Sequence, residues 1–441
     1  MAPGNLQRNA DQGRLTPTIF ALATGAPPTA IAIVRISGPG TLAIVASLTN
    51  RSLPPPRRLT RRTLHDPSTG DAIDTALVAV FPAPASVTGD DVAELHLHGG
   101  VAVVAAALAM LRRAGAIPAA AGAFTRRAFD NGKLDLAQVE ALSDLIAAET
   151  DGQRRTALGR TGTELAQHVD RWRAVLTDIR ADIEATLDFA EDDDVAVRPL
   201  DVADERLCAL ASELRVIRVQ AERGGRLRDG VTVAIVGPVN AGKSTLLNAL
   251  ARRDVALVSP LPGTTRDAIE VRIDLGGILV TIVDTAGVRE TSDALEVAGI
   301  QRGQIRAEQA DIVVALGTAA FPNAIHIVSK SDQTSEGAGW RGGALHLSAA
   351  TGDGIDLLES HLAARVHELT SAGETPLVAA QWQRTALNNA IAGIDAAQNC
   401  SVTALMAEEL RRASLGLERL IGRVSSEALL DHVFARFCIG K

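Results

Sequence analysis

In "VAELHLHGG", residues 92–100, every second residue is apolar, the period of a half-buried strand. "TAIAIVRIS" and "ALVAVFPAP" also read as strands, and the alanine-rich stretch after Gly100 reads as a buried helix. Residues 1–128 are therefore expected to hold an α+β domain. From 129 to 226 the period becomes helical. Leu158, Leu165, Val169, Trp172, Leu176, Ile179, Ile183 and Leu187 follow one another by threes, fours and one seven, which predicts one continuous apolar stripe. A second stripe, Leu207, Leu210, Leu214 and Ile217, follows the acidic break "EDDDV", and "GGRLRDG" is expected to punctuate the chain. Between 227 and 372, "VTVAIVG", "ILVTIVDTAG", "DIVVAL", "AIHIVSKSD" and "ALHLSAA" are apolar runs, each closed by a polar turn. They predict a parallel sheet with helices on both faces and its loops at the strands' carboxyl ends. From 373 to 441 the period is helical again, through Leu387, Ile391, Ile394, Leu410, Leu417, Leu420 and Ile421. The expected fold is a multidomain α/β protein in which an α/β domain is inserted into a helical one.

Composition narrows the partners. At 441 residues the chain exceeds what one core can organise. The net charge of −8 is unlike that of a protein that grips nucleic acid alone, and aromatic residues make up only 2% of the chain. The best basic patch is Arg57, Arg58, Arg61 and Arg62, joined by Arg112, Arg113, Arg126 and Arg127, with a solvated loop and helix ends as the equal alternative. Cys208, Cys400 and Cys438 are far apart and form no C-x-x-C pair, so a reducing compartment fits. The first residues lack the order of a signal peptide, and no apolar run is long enough to span a bilayer. A cytoplasmic protein that does not enter a membrane is expected.

The strongest chemical signal is "GPVNAGKST", a G-x-x-x-x-G-K-[ST] loop directly after a strand and opening a helix. Backbone N–H groups from Gly237 to Gly242, Asn240 and Ala241 among them, are expected to face phosphate oxygens at the helix N-terminus. Lys243 is expected at the β/γ oxygens, with Ser244 on Mg²⁺ and Thr245 beside it. Further on, "GTTRD" supplies Thr265 as a second Mg²⁺ ligand. "DTAG" (Asp284, Thr285, Ala286, Gly287) supplies a water-mediated metal carboxylate and a γ-phosphate sensor. In "SKSD", Asp332 can accept both guanine N–H donors while Lys330 covers the ring, and adenine lacks the second donor. Ser348 and Ala349 of "SAA" are expected at O6. Ser329 stands where G domains usually carry Asn, and its shorter hydroxyl cannot make the same contacts. Val288 occupies the place of the water-orienting Gln and cannot do its work. Glu290, Asp293 and Glu296 are the acidic candidates nearby, and no arginine-finger position is evident.

These motifs, with "IAIVRISGPG", "PAPASVTGDDVAELHLHGG", "GAFTRRAFDNGKLDLAQVEALSDLI", "DTAGVRETSDALEVAGI" and the terminal "FCIGK", resemble the tRNA-modification GTPase family called MnmE, or TrmE, over nearly the whole chain. The resemblance implies a folate-binding-like N-terminal domain that dimerises, a helical domain and an inserted G domain. It implies that Asn240, Ser259, Leu261 and Thr264 hold K⁺ in place of an arginine finger when two G domains meet, and that Glu296 orients the water. It implies Arg35, Glu94, Lys133 and Lys441 as contacts of a 5,10-methylene- or formyl-type tetrahydrofolate. It also implies a homodimer, an MnmG-type partner carrying FAD in a heterotetramer or larger, and tRNA as substrate, its wobble uridine modified at C5.

Two local alternatives accompany this. Glu94, His96 and His98 share a strand face and could bind zinc. Cys438, four from the end, raises a lipid anchor, although lysine is a poor final residue for one. With the tail near the folate pocket, Cys438 is instead expected to be a small buried hydrophobe or a reactive thiol. The competing class of function is a regulatory switch in ribosome assembly, which has no need of the folate set.

Overall fold

The structure, a computed structural model, describes residues 17–188, 200–238, 240–253, 257, 270–284, 305, 307–317, 321–335, 337–371, 376–400, 402–424 and 426–441. For 186–188 and 200–204 it describes the backbone alone. The chain divides into two compact units, Met1–Val139 with Gly422–Lys441, and Glu140–Ile421.

The first unit runs β1 (Ile19–Leu22), β2 (Ile31–Ser37), α1 (Thr41–Thr49), β3 (Thr60–His65), β4 (Ala72–Phe81), β5 (Val92–His98), α2 (Val101–Arg113), β6 (Ile117–Pro118) and α3 (Ala123–Asp130). The strands form one sheet in the order β3-β4-β5-β2-β1-β6, antiparallel except for the β1–β6 pair. Alternation decides its faces. Ala32, Val34 and Ile36 of β2 and Ala93, Leu95 and Leu97 of β5 point into a core shared with Val45 and Leu48 of α1 and Val104, Met110 and Leu111 of α2. Each fully buried Val, Leu, Ile or Met side chain there is worth about 1.5–3 kcal/mol. The intervening residues Arg35, Glu94 and His96 are only partly exposed, and Arg35 lies directly opposite Glu94 in the register. A slip of one residue would drive both charges into the core, so burial fixes this pairing. β4 stops at Phe81, before Pro82, which has no N–H for the ladder.

α4 (Leu136–Ala147) begins in the first unit and ends in the second, which continues through α5 (Asp151–Gly159), α6 (Glu164–Asp188) and α7 (Leu200–Asp229). There follow β7 (Val231–Val236), α8 (Lys243–Ala251), β8 (Glu270–Leu275), β9 (Ile278–Asp284), β10 (Ile312–Leu316), β11 (Ile325–Val328), β12 (Gly339–Arg341) and β13 (Ala344–His346). The unit closes with α9 (Ile355–Thr370), α10 (Gln381–Gln398) and α11 (Thr403–Leu420). Its sheet order is β12-β13-β11-β10-β7-β9-β8. The inner five strands are parallel, as the apolar runs predict, but each edge strand is antiparallel to its neighbour. One face packs Val231, Val233 and Ile235 against Leu246 and Leu250 of α8 and Leu358 and Leu362 of α9. Among the described residues no helix is long and apolar enough to cross a membrane.

Two helical expectations need correction. Leu165, Val169, Trp172, Leu176, Ile179 and Ile183 are buried along α6, but Leu158 lies in the last turn of α5 and is 45% exposed. The turn between the helices breaks the phase, so the stripe is shorter than its spacing implies. "GGRLRDG" does not interrupt the chain either: α7 runs through Gly224 and Gly225 to Asp229 and stops at Gly230, where φ is +89°. The glycines admit close neighbours instead. A Cβ on Gly224 would stand 2.8 Å from the Val378 carbonyl oxygen, and one on Gly225 would overlap the Arg384 guanidinium. In the same way Gly393 and Gly416 let α10 and α11 cross against Ala413 and Ala390. Packing, not turning, explains these glycines.

Candidate nucleotide and anion sites

The phosphate loop leaves β7 at Gly237, whose φ of +152° would bring a Cβ within 2.8 Å of the Leu316 carbonyl oxygen. Asn240 and Gly242 also hold positive φ, 64° and 96°, and Gly242 caps α8. Lys243 is buried behind this turn, and its Nζ donates to the carbonyls of Gly237 (2.8 Å) and Pro238 (2.9 Å). Loss of solvent holds its pKa below the ordinary lysine value, and the Asp284 carboxylate partly opposes that. Asp284, fully buried at the end of β9, accepts from Ser244 Oγ at 2.9 Å. The fold therefore assembles a cation, a hydroxyl and a carboxylate beside a helix N-terminus, an arrangement suited to a phosphate and a hard divalent ion. Thr245 lies in the same first turn of α8.

The base-reading motif is tied to this loop. Ser329 Oγ donates to the Ala241 carbonyl at 2.8 Å, so the residue that departs from the usual Asn still braces the cradle. Lys330, at φ +63°, opens a short 3₁₀ turn that carries Asp332. The Ser331 N–H donates to Leu347 O, which fixes that turn beside Ser348 and Ala349. The Ser348 N–H is engaged by Asp353 O at 2.9 Å. Ser259, Leu261, Thr264, Thr265, Thr285, Ala286, Gly287, Val288, Glu290, Asp293 and Glu296 lie outside the described residues.

The first unit carries a cavity of about 540 Å³ whose lining includes Arg35, Glu94 and Lys133. Arg35 donates through Nε (3.1 Å) and Nη2 (2.9 Å) to Glu94 Oε1, and through Nη1 (3.2 Å) to Gly440 O. Both its charge and its donor fork are thus used within the protein, which fixes the Glu94 carboxylate at the wall. Lys133 arrives from far along the chain because Asn131 Nδ2 bonds Thr88 O at 2.8 Å, pinning the turn after α3 to the loop that follows β4. The tail is anchored on the same unit. Phe124 N–H donates to Lys441 O at 3.2 Å, and Phe434 packs on Phe129 with ring centroids 6.0 Å apart. Lys441 is not among the residues lining the cavity. Lining residues that sequence reasoning missed are Phe81 and the segment from Pro84 to Val87, while Arg57 was visible only as part of a basic patch.

Two readings fall here, and the basic patch is partly tied into the unit. Among the described residues no group of three His, Cys, Asp or Glu side chains could hold a metal. Glu94 is committed to Arg35, and the exposed His98 pairs with Asp74 at 2.7 Å, so the zinc alternative fails. Cys438 is exposed, which removes the small buried hydrophobe and leaves the reactive thiol as the other reading. The arginines added to the basic patch are largely engaged within the unit: Arg113 with Asp66, Arg126 with Glu427 at 2.8 Å, and the buried Arg127 with Ser37 O at 2.7 Å.

Comparison with known proteins extends the picture. A family model described as "MnmE helical domain" matches residues 136–438, and one described as "GTP-binding protein TrmE N-terminus" matches 18–133. A protein of Azorhizobium caulinodans named tRNA modification GTPase MnmE is 46% identical over 438 residues, covering 97% of this chain and 100% of that protein. Proteins of the same name from Methylobacterium sp. (strain 4-46) and Parvibaculum lavamentivorans are 46% and 45% identical, covering 97% and 96% of this chain and 100% of theirs.

Proposed function

The chain belongs to the family of tRNA-modification GTPases called MnmE and is a GTP hydrolase, and from that premise we propose its particular chemistry. With an MnmG-type partner that carries FAD, it installs an aminomethyl or carboxymethylaminomethyl group at C5 of the wobble uridine of certain tRNAs. The observation that carries the folate part of this reading is the cavity, whose lining joins Arg35, Glu94 and Lys133. Bound there, a 5,10-methylene- or formyl-type tetrahydrofolate supplies the one-carbon unit. Glu94, oriented by Arg35, accepts hydrogen bonds from the amino and ring N–H donors of the pterin. Lys133 offers a positive charge to the carboxylates of the tail, and Lys441 belongs to the tail segment anchored on the same unit. In isothermal titration with 5-formyltetrahydrofolate, Glu94→Gln is expected to weaken binding about tenfold, a lost charge-assisted contact. Equal affinity in the variant would remove Glu94 from the ligand's contacts.

At the nucleotide, the hard-oxygen set of Ser244 and Asp284 fits Mg²⁺, with Thr265 completing it. Asp332 selects guanine. Asn240 stands exposed on the loop surface, open to a facing second copy, and with Ser259, Leu261 and Thr264 would hold K⁺. That ion supplies positive charge near the developing phosphoryl charge. Glu296 orients the attacking water. GTP turnover is expected to run at least about tenfold faster in potassium than in sodium buffer at equal ionic strength. Equal rates would dismiss the ion pocket and the paired G domains with it. Hydrolysis moves the G-domain pair and is not itself the transfer of carbon.

A further inference from the structure

The charges of the cavity do not balance. Its lining brings three cations, Arg35, Arg57 and Lys133, against the single carboxylate of Glu94. Arg35 and Glu94 neutralise one another in a two-donor pair. Two positive charges remain for whatever enters, so the ligand's anionic part cannot rely on Arg35 and has to meet Arg57 or Lys133. The neighbouring acids do not supply the balance. Asp90 is taken by Arg127 and by Asn131, and Asp91 accepts from the Ala83 N–H at 2.8 Å.

Arg57 is also held in a costly conformation. Its φ is +61°, in the left-handed region that a residue with a side chain rarely adopts, and its N–H is locked onto Val80 O at 2.9 Å. That backbone delivers the guanidinium to a definite place, 5.9 Å from the Phe81 ring centroid and donating through Nη2 to Ala85 O. A guanidinium has five donors, and one carbonyl and one ring face leave an edge free to take a carboxylate. Phe81, Pro84 and Val87 beside it form an apolar wall. The lining thus offers an apolar face for a flat ring and two separate cations for an anionic extension.

We propose that Arg57 is a specificity-determining residue of this cavity: it binds a carboxylate of the ligand's tail beyond the two that the first glutamate carries, so that the protein selects polyglutamylated reduced folates over the monoglutamate. This rests on the folate reading above and adds to it a preference for tail charge. The two neighbouring carboxylates of the first glutamate fall to Lys133. Among the residues lining the cavity, a further one gains a bidentate partner only at Arg57.

The test is calorimetric titration of the full chain, wild type and Arg57→Gln, with three ligands: tetrahydropteroate, which has no glutamate, tetrahydrofolate, and its triglutamate. The wild type is expected to bind the triglutamate about tenfold more tightly than the monoglutamate. Arg57→Gln should abolish that difference and leave the affinity for tetrahydropteroate unchanged. Arg57 is exposed, and an unchanged thermal transition will show that the variant folds. If the variant keeps the preference, or loses affinity for all three ligands alike, Arg57 is not the tail's partner while the folate reading stands. If the wild type binds none of the three, the folate reading itself fails and this inference goes with it.

Discussion

Asp144→Ala is expected to destabilise the second unit by about 3–5 kcal/mol, the cost of stranding buried charge. Asp144 Oδ2 receives Arg160 Nη1 at 2.9 Å, and Oδ1 receives Arg228 Nε at 2.8 Å. The side chains of Arg160, Asp144 and Arg228 are 4%, 7% and 10% exposed. Burial pushes the Arg160 pKa down despite Asp144, while at Arg228 burial is outweighed by Asp144 and Glu140 together and the pKa rises. Glu140 keeps Arg228 paired in the variant, so the penalty falls chiefly on Arg160, left with Gln383 Oε1 at 3.1 Å. The damage should spread beyond the helices. Arg228 precedes β7 by a few residues, and its carbonyl accepts from Gln153 of α5 at 2.9 Å. Arg226 and the Thr232 N–H share Asp311, just ahead of β10. Urea unfolding followed by Trp382 fluorescence reports this directly, because the indole N–H donates to Glu140 at 3.4 Å. A loss below about 1 kcal/mol would show that the network is solvated and dispensable.

Lys243→Ala should cut GTP turnover about 10²–10³-fold at saturating nucleotide, the scale of removing one preorganised charge from the reacting centre. The ammonium is already desolvated and held by two loop carbonyls, so reorganising it for catalysis costs little. The same substitution removes two of the bonds that shape the phosphate loop, so nucleotide affinity should fall with it. The circular dichroism of the variant is expected to match the wild type, since the sheet core beneath the loop does not involve the lysine's charge. Turnover within threefold of wild type would mean that another cation neutralises the phosphates.

Much of this protein is legible in one dimension because the decisive signals are local. The phosphate loop is a run of adjacent residues with a strand before it and a helix after it. The period-two alternation of β5 assigned Glu94 to the sheet's other face, and Val233, Leu387 and Leu410 are buried where their spacing placed them. Family membership is legible for the same reason, since its motifs are short contiguous strings.

Spacing could not decide what depends on distant neighbours. Gly224 looks like a breaker until Pro376 and Val378, some 150 residues on in sequence, are seen against it. The family resemblance implied Arg35 as a ligand contact, and the register with β5 made it the partner of Glu94. Arg57 looked like one of four arginines on a loop, and a left-handed backbone beside Phe81 brought it to the cavity wall. Cys438 could be a buried hydrophobe or a reactive thiol by sequence, and Phe434 and Phe437 fill the tail's apolar seat and leave the thiol outside. The sequence by itself determined the elements, the nucleotide chemistry and the family, because periodicity and capping act within a turn or a strand. Only the tertiary structure decided which charges cancel and which remain for a ligand, because charge pairing is settled by proximity in space and by exclusion of water.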